Sequence, residues 1–416
     1  MHRLFLYLIV FSFVQVGLSA QERTHLPYSV YGIGQILPKG FTRNLAMGRT
    51  GIALSSPAYL NSVNPASLHT VDSISFFFDF GLNGDIVKYS TSNEGTQKGN
   101  DFNIHNIAIG FSVMNNWKAS IGISPYSSVG YKIKTTEEIQ GTPNGTYNVQ
   151  KSGSGGLNQF YINNSFTFFK HLSLGVSMNY LFGTIESSEK INAPDLMTND
   201  LIIKQSRYLK KFYADFGAQY FFPVNKNIEV TLGGIFGNTH YLTQKDKITV
   251  YEFQGDILKD ENTDHGTFKF PMYFGGGFSV MYKNSLTISG DYIYQDWSNT
   301  SSNSSNFKYR SNNIIRAGIE LIPGRFNKLG YFGGISYRLG YYHEESYLQF
   351  RERTFADNGI TAGLGFPILQ NRTTINFSYN YGINGTLENR LVKEKYQMFI
   401  ISLTLHDWWF MKRQID

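Results

Sequence analysis

The 416-residue chain has no cysteine, only 11 prolines, and charged residues at 16%. The missing cysteine excludes a disulfide scaffold, a thiolate metal site, a cysteine nucleophile and a lipid-anchored N-terminal cysteine. Long hydrophobic runs are also lacking. Beyond the first twenty residues nothing approaches the roughly 18 apolar residues of a membrane helix, and mean hydropathy is -0.25. The 37 basic and 31 acidic residues leave a net charge of +6 spread along the chain. That gives no basic stripe for nucleic acid. What is abundant is glycine (41), phenylalanine (34) and tyrosine (28), a composition too aromatic for a disordered chain.

Residues 1–20, MHRLFLYLIVFSFVQVGLSA, place a short basic start before an apolar run and end on Gly17, Ser19 and Ala20. This reads as a secretory signal, too short for a membrane anchor, and the mature chain is expected to be exported.

From about residue 71 the sequence alternates with a period of two, which marks β-strands. Ile74, Phe76, Phe78, Phe80 and Leu82 share one face. Leu172, Leu174, Val176, Met178, Tyr180 and Phe182 oppose Ser173, Gly175, Ser177 and Asn179. Ile375, Phe377, Tyr379 and Tyr381 oppose Asn376, Ser378 and Asn380. One face is large and aromatic, whereas the other is small and polar with few charges. A soluble sandwich or propeller would leave so many Phe and Tyr stripes without a buried partner. The pattern suits an all-β, 14-stranded antiparallel transmembrane β-barrel, greasy outside and polar inside. About fourteen strands are expected over 71–411, with long external loops near 84–102, 134–156, 188–206 and 244–266. Short turns are expected at Asn115-Asn116, Lys170, Val224 to Lys226, Lys283-Asn284 and Leu369-Gln370. An even strand number puts both mature termini in the periplasm, including a short tail at 412–416. Trp117, Trp297, Trp408 and Trp409 fall at expected strand ends, as an interfacial girdle would require.

Residues 21–70 do not alternate and are rich in Gly and Pro. A barrel of this size needs a plug, so this segment is expected to fold inside as a hatch; a flexible periplasmic tail has the same composition. The segment contains Tyr31-Gly32-Ile33-Gly34, then Ala46-x-Gly48-x-x-Gly51-x-Ala53, then Asn64-Pro65-Ala66 just before the first strand. This set resembles the N-terminal hatch of the FadL family, outer-membrane transporters of long-chain fatty acids and other hydrophobic compounds. Pro65 restricts its own φ and that of Asn64, whose amide can bind nearby backbone.

Ser124-Pro125-Tyr126 interrupts the third strand, and proline lacks a ladder donor. Pro125, flanked by Gly122 and Gly130, is expected to kink the wall; Pro271 in the eighth strand is a rival. The resemblance implies a third-strand kink that opens the lumen sideways into the outer leaflet. Asp79, Asp215, Asp291, Arg316, Glu320 and Arg338 fall on the inward register. Arg316 and Arg338 are candidates for a fatty-acid carboxylate, although lumen charges more often pair with each other or with the plug, here through Arg43 or Arg49.

No catalytic constellation, metal motif or cofactor site is read. His343-Glu344-Glu345 lacks a second histidine, with Tyr347 in its place. Gly153-Ser154-Gly155-Gly156 has no helix after it and reads as a flexible turn. The last strand, Tyr396 to Phe410, ends in aromatics and resembles the recognition signal for the barrel assembly machinery during biogenesis. The expected function is passive uptake of hydrophobic small molecules, with outer-membrane lipid receiving the cargo at the kink. The alternative is a barrel of the same family serving as a structural or docking subunit of an outer-membrane secretion or assembly complex (PorV-like). Its Tyr- and Asn-rich loops would then contact other outer-membrane proteins.

Overall fold

A computed structural model describes residues 27–408, apart from positions 74, 93–94, 139–145, 193–199, 253–254, 301–306, 326–329, 351–352 and 369–372. The expected signal peptide, Ile74, the turn at Leu369-Gln370, Trp409-Phe410 and the terminal tail lie outside the described residues.

Among the described residues, fourteen strands form the wall. They are β1 (Ser75–Thr91), β2 (Gly95–Met114), β3 (Trp117–Glu138), β4 (Thr146–Phe168), β5 (Leu172–Asn192) and β6 (Leu201–Asn225). Strand β7 runs Ile228–Gly237 and resumes at His240–Glu252; β8 runs Ile257–Phe270 and resumes after Pro271 at Met272–Tyr282. Then come β9 (Leu286–Asp296), β10 (Asn312–Leu321), β11 (Ser336–Glu345), β12 (Ala356–Ile368), β13 (Thr373–Gly385) and β14 (Lys393–Trp408). Neighbours are antiparallel, and β14 closes on β1 from Lys393↔Ser90 to Trp408↔Ser75. Closure leaves the lipid-embedded backbone hydrogen-bonded within the protein, as a bilayer demands.

Burial is inverted relative to a soluble fold. Met178, Phe212, Leu232, Leu339 and Ile360 are exposed, whereas Asn163, Ser173, Asn179, Gln219, Asn376 and Asn380 are buried. The period-two pattern therefore reads out which face meets lipid.

Two expectations need correction. The segments read as long loops are mostly strand: β6 alone runs 25 residues, against the roughly 9–11 that cross a bilayer. Above the lipid both faces of a hairpin meet water, so the apolar–polar contrast fades although the pairing continues. Trp297 is not an interfacial residue. It is buried with Ile33, Leu157, Leu181, Leu209, Leu242 and Phe270 inside the barrel, and stacks on Tyr347 at 4.5 Å. Trp117 does stand at a strand end, donating to Asn164 Oδ1 at 3.0 Å.

The hatch occupies the lumen. Its helix α1 (Thr42–Ala46) is buried at every residue. Phe41, Leu60 and Leu68 pack against Phe77 and Ala108 of the wall. A short 3-10 helix over Pro65–Thr70 then leads into β1.

Candidate functional site: the hatch seat and the parted wall

The hatch is seated backbone to backbone. After α1 the chain turns through Gly48 and Arg49, both in the left-handed region (φ 64° and 66°). Gly48 fits because no Cβ could: its ideal position lies 2.2 Å from the Ala317 carbonyl of β10. The wall reciprocates with inward-facing glycines. A Cβ on Gly340 of β11 would lie 2.0 Å from Gly48 N, one on Gly318 of β10 2.3 Å from Met47 O, and one on Gly233 of β7 2.3 Å from Ile52 O. Thr361 completes the seat, donating to Ala46 O and accepting from Gly48 N, each at 2.9 Å. Sequence reading missed these wall glycines as a set. Their signal is glycine recurring on the inward register of neighbouring strands.

Asn64 is fully buried and joins three parts of the structure. Its amide donates to Ile52 O of the hatch at 2.7 Å, and to Ala218 O and Gly234 O of the wall at 3.2 and 3.3 Å. Its Oδ1 caps the helix at Pro65 by accepting from Ala66 N at 3.0 Å. Room for this comes from Gly217 and Gly175, where a Cβ would lie 2.0 Å from Asn64 Oδ1 and 2.3 Å from Ala66 N. His69 stacks on Phe221 at 4.1 Å, and burial pushes its imidazole down to about 4 against its hydrogen bond to the Ala66 carbonyl.

All six inward charges are buried and engaged by protein groups. Glu320 lies between two guanidiniums, 2.6 Å from Arg43 of the hatch and 2.7 Å from Arg338. Arg338 also donates to Asn376 at 2.9 Å. Arg49 reaches Glu344 at 2.9 Å and Asp357 at 3.2 Å, with its guanidinium 3.6 Å over the Tyr342 ring. Burial opposes that charge, but Glu344, Tyr342, Tyr396 and Asp357 outweigh it and hold Arg49 well above the usual arginine range. Arg316 bonds Glu344 at 2.9 Å and the Arg49 carbonyl at 3.1 Å. Asp291 accepts from Gly51 N and Ile52 N at 2.7 and 3.1 Å. Asp79 accepts from Asn106 and Thr404, and Asp215 from Asn179 and Lys39 at 3.1 and 3.4 Å. The side chains of Arg316 and Arg338 thus hold the hatch and wall together.

The wall parts between β2 and β3. Their ladder runs from Met114↔Trp117 only to Ile107↔Ile123, whereas β3 and β4 pair along their whole length. A bulge falls between Pro125 and Ser127. Beyond it β3 turns to the hatch, pairing Ser128↔Gln35 and Ser127↔Ile36, with Leu37 N donating to Tyr126 O at 2.9 Å. Neither Gly122 nor Gly130 takes a left-handed φ. Gly122 makes room for Tyr161, whose hydroxyl lies 2.4 Å from the ideal Cβ position, and Gly130 N donates to Ser29 at 3.4 Å. The unusual backbone is on β4, at Gly155 (φ 102°) and Gly156 (φ 146°), opposite Val129 and Ser128. Gly153-Ser154-Gly155-Gly156 is therefore strand, not turn; it accommodates the bend of its neighbour. Pro271 only interrupts β8 between two paired halves.

Two cavities flank hatch residues 37–39. One, about 60 Å³, reaches the parted wall at Ser124–Tyr126 and is lined by Lys39, Asp85, Asp101, His105, Gln159 and Asp215 among others. The other, about 200 Å³, lies between the hatch and Phe270, Tyr273, Trp297, Tyr347 and Arg316. Among the described residues no acid–histidine group has metal-binding geometry.

The barrel resembles solved outer-membrane proteins. The toluene transporter TodX of P. putida superposes with a TM-score of 0.61 at 12% identity, covering 90% of this chain and 100% of its own. The toluene transporter TbuX of Ralstonia pickettii gives 0.58 at 15%, covering 88% and 98%. A FadL homologue of Pseudomonas aeruginosa gives 0.58 at 11%, covering 90% and 99%. At these identities the likeness is one of fold. No curated protein matches the chain by sequence. The BamG family model matches residues 1–416: the chain belongs to the BamG family, built on the FadL-type outer-membrane barrel.

Proposed function

We propose that this protein is a docking subunit at the outer-membrane barrel-assembly machinery, with the lumen serving as a filled core that stiffens the wall. The family name points to that machinery. The observation carrying the proposal is how the hatch takes up the lumen: the two cavities beside hatch residues 37–39, about 60 and 200 Å³, each fall below the roughly 300–1,000 Å³ of small-molecule sites. In this reading the tall hairpins β3–β4, β5–β6 and β7–β8 and the parted wall are faces for other outer-membrane proteins. The test is purification of the full chain from gently solubilised outer membranes. A stoichiometric complex with assembly subunits, and a fall in other barrel proteins on depletion, are expected; a lone barrel and unchanged barrel levels refute it.

A second reading is favoured by the short β2–β3 ladder: passive entry of hydrophobic small molecules, leaving sideways between β2 and β3 into outer-membrane lipid. Pro125→Val restores a ladder donor at the bulge. Under this reading the substitution cuts uptake of a labelled long-chain fatty acid to the level of a deletion strain. Uptake that stays unchanged leaves the docking reading standing.

Both readings orient the hairpins outward and the short turns, with both mature termini, toward the periplasm. The cysteine-free chain makes this directly measurable. Lys259→Cys in the β7–β8 hairpin is expected to react with a bulky impermeant maleimide on intact cells. Asn227→Cys in a short turn is expected to react only after the outer membrane is broken. The reverse pattern inverts the orientation.

A further inference from the structure

The outward face above the lipid belt holds a second feature, a trough on the hairpins that the docking reading gives to partner proteins. Strand register fixes which residues share that face. Phe160, Met178 and Phe212 are exposed and stand on the lipid side of β4, β5 and β6, where Phe160↔Tyr180 and Tyr180↔Phe212 are opposite neighbours. Tyr180 stacks on Phe212 at 4.3 Å and on Phe182 at 5.4 Å, forming an aromatic rim. From Leu172 to Phe182 the strand rises about 25 Å along the tilted wall, the height of an outer-membrane apolar band.

Directly above that rim the same face changes chemistry. One cross-strand row reads Lys132↔Ser152↔Ser188↔Lys204↔Thr249 over β3 to β7. The row beneath it reads Gly130↔Ser154↔Glu186↔Ser206↔Lys247 over the same strands. Small hydroxyl residues make the floor on β4 and β5, and exposed lysines make the sides on β3, β6 and β7. The result is a trough of about 340 Å³ lined by Lys132, Ser152, Ser154, Glu186, Lys204 and Lys247 among others. Lys210 stands exposed on the same face nearer the rim. Among the described residues the acids facing the trough are Glu186 in its floor and Asp260 at its far side, 3.2 Å from Lys247 in a half-exposed pair of the weak surface kind. Lys204 lies 5.3 Å over the Tyr251 ring. Among the described residues, Lys132, Lys204, Lys210 and Lys247 against two acids leave an excess of positive charge at the depth where lipid head groups begin.

We propose that this trough binds the phosphorylated sugar head group of an outer-leaflet glycolipid. The ammonium groups would meet phosphate, the serine floor would meet sugar hydroxyls, and the rim of Tyr180, Phe182 and Phe212 would cover the first carbons of the acyl chains. Position separates this site from the lumen: it faces lipid, so it can be filled whether or not anything passes through the barrel. It rests on the outward orientation of the hairpins, which the cysteine labelling above measures separately.

The test reconstitutes the full-length protein in phosphatidylethanolamine nanodiscs doped with a bisphosphorylated glucosamine-disaccharide lipid, and reads retained lipid by native mass spectrometry. The Lys132→Ser/Lys204→Ser/Lys247→Ser variant should retain roughly 100-fold less, from the per-lysine contribution at an anionic surface. Glu186→Gln should retain more than the parent, which guards against a triple variant that folds poorly. Inorganic phosphate should leave the lipid in place. Equal retention by the triple variant, equal retention of the dephosphorylated lipid, or displacement by inorganic phosphate would each overturn the proposal.

Discussion

Glu320→Leu is expected to lower the stability of the folded barrel by about 3–5 kcal/mol, the cost of stranding a buried charge. Here two guanidiniums lose their shared carboxylate. Arg43 comes from the hatch and Arg338 from β11, and both are buried beside Glu320. Tyr59 lies against both, 5.3 and 5.1 Å from the two guanidinium carbons, and cannot neutralise either. The measurement is the urea midpoint of the compact, heat-modifiable band in electrophoresis. Because the hatch holds one of the cations, we also expect the variant hatch to become accessible to protease before the wall unfolds. Replacing all three by leucine removes the stranded charges along with the pair, and is expected to recover most of the loss. If the single variant matches the parent, the cluster does not hold the hatch.

Gly340→Val should unseat the hatch. The Cβ would stand 2.0 Å from Gly48 N, with Met47 C at 2.4 Å and Gly48 Cα at 2.5 Å. These are backbone atoms held by α1 and by Thr361 on the next strand, so no side chain can rotate away. The cost exceeds the roughly 1–3 kcal/mol of ordinary overpacking, and displacement of the turn at 46–50 is the cheaper response. Single-channel recordings in planar bilayers are expected to change from silent to conducting. Gly234→Ala is the control: its nearest neighbour is 3.9 Å away, so it should remain silent. A silent Gly340→Val barrel of normal stability would show that the hatch turn yields without leaving the lumen.

The wall was legible because a bilayer imposes the strictest sequence pattern on a strand. Phe160, Met178 and Phe212 alternate with Tyr161, Asn179 and Tyr213, and only one register puts the first set in lipid. The Asn64-Pro65-Ala66 turn was legible for a local reason, since the side chain caps its own helix two residues on. The extent of the hairpins was not, because above lipid the two faces cease to differ. Near the bulge at Pro125 the positive-φ backbone lies across the ladder, at Gly155 and Gly156. A neighbour's conformation leaves no mark next to the proline in the chain.

The sequence by itself determined the membrane-facing surface and the strand count, since both follow from local periodicity; composition left residues 21–70 as hatch or tail, and burial of α1 against the wall decides it. Only the tertiary structure decided what the inward charges do. Arg43 and Glu320 are 277 positions apart and Arg49 and Asp357 are 308 apart. Register could put such groups on the inward face, but not choose their partners. The choice follows from where the hatch backbone settles on the wall, and that is set by where the wall has no side chain in the way.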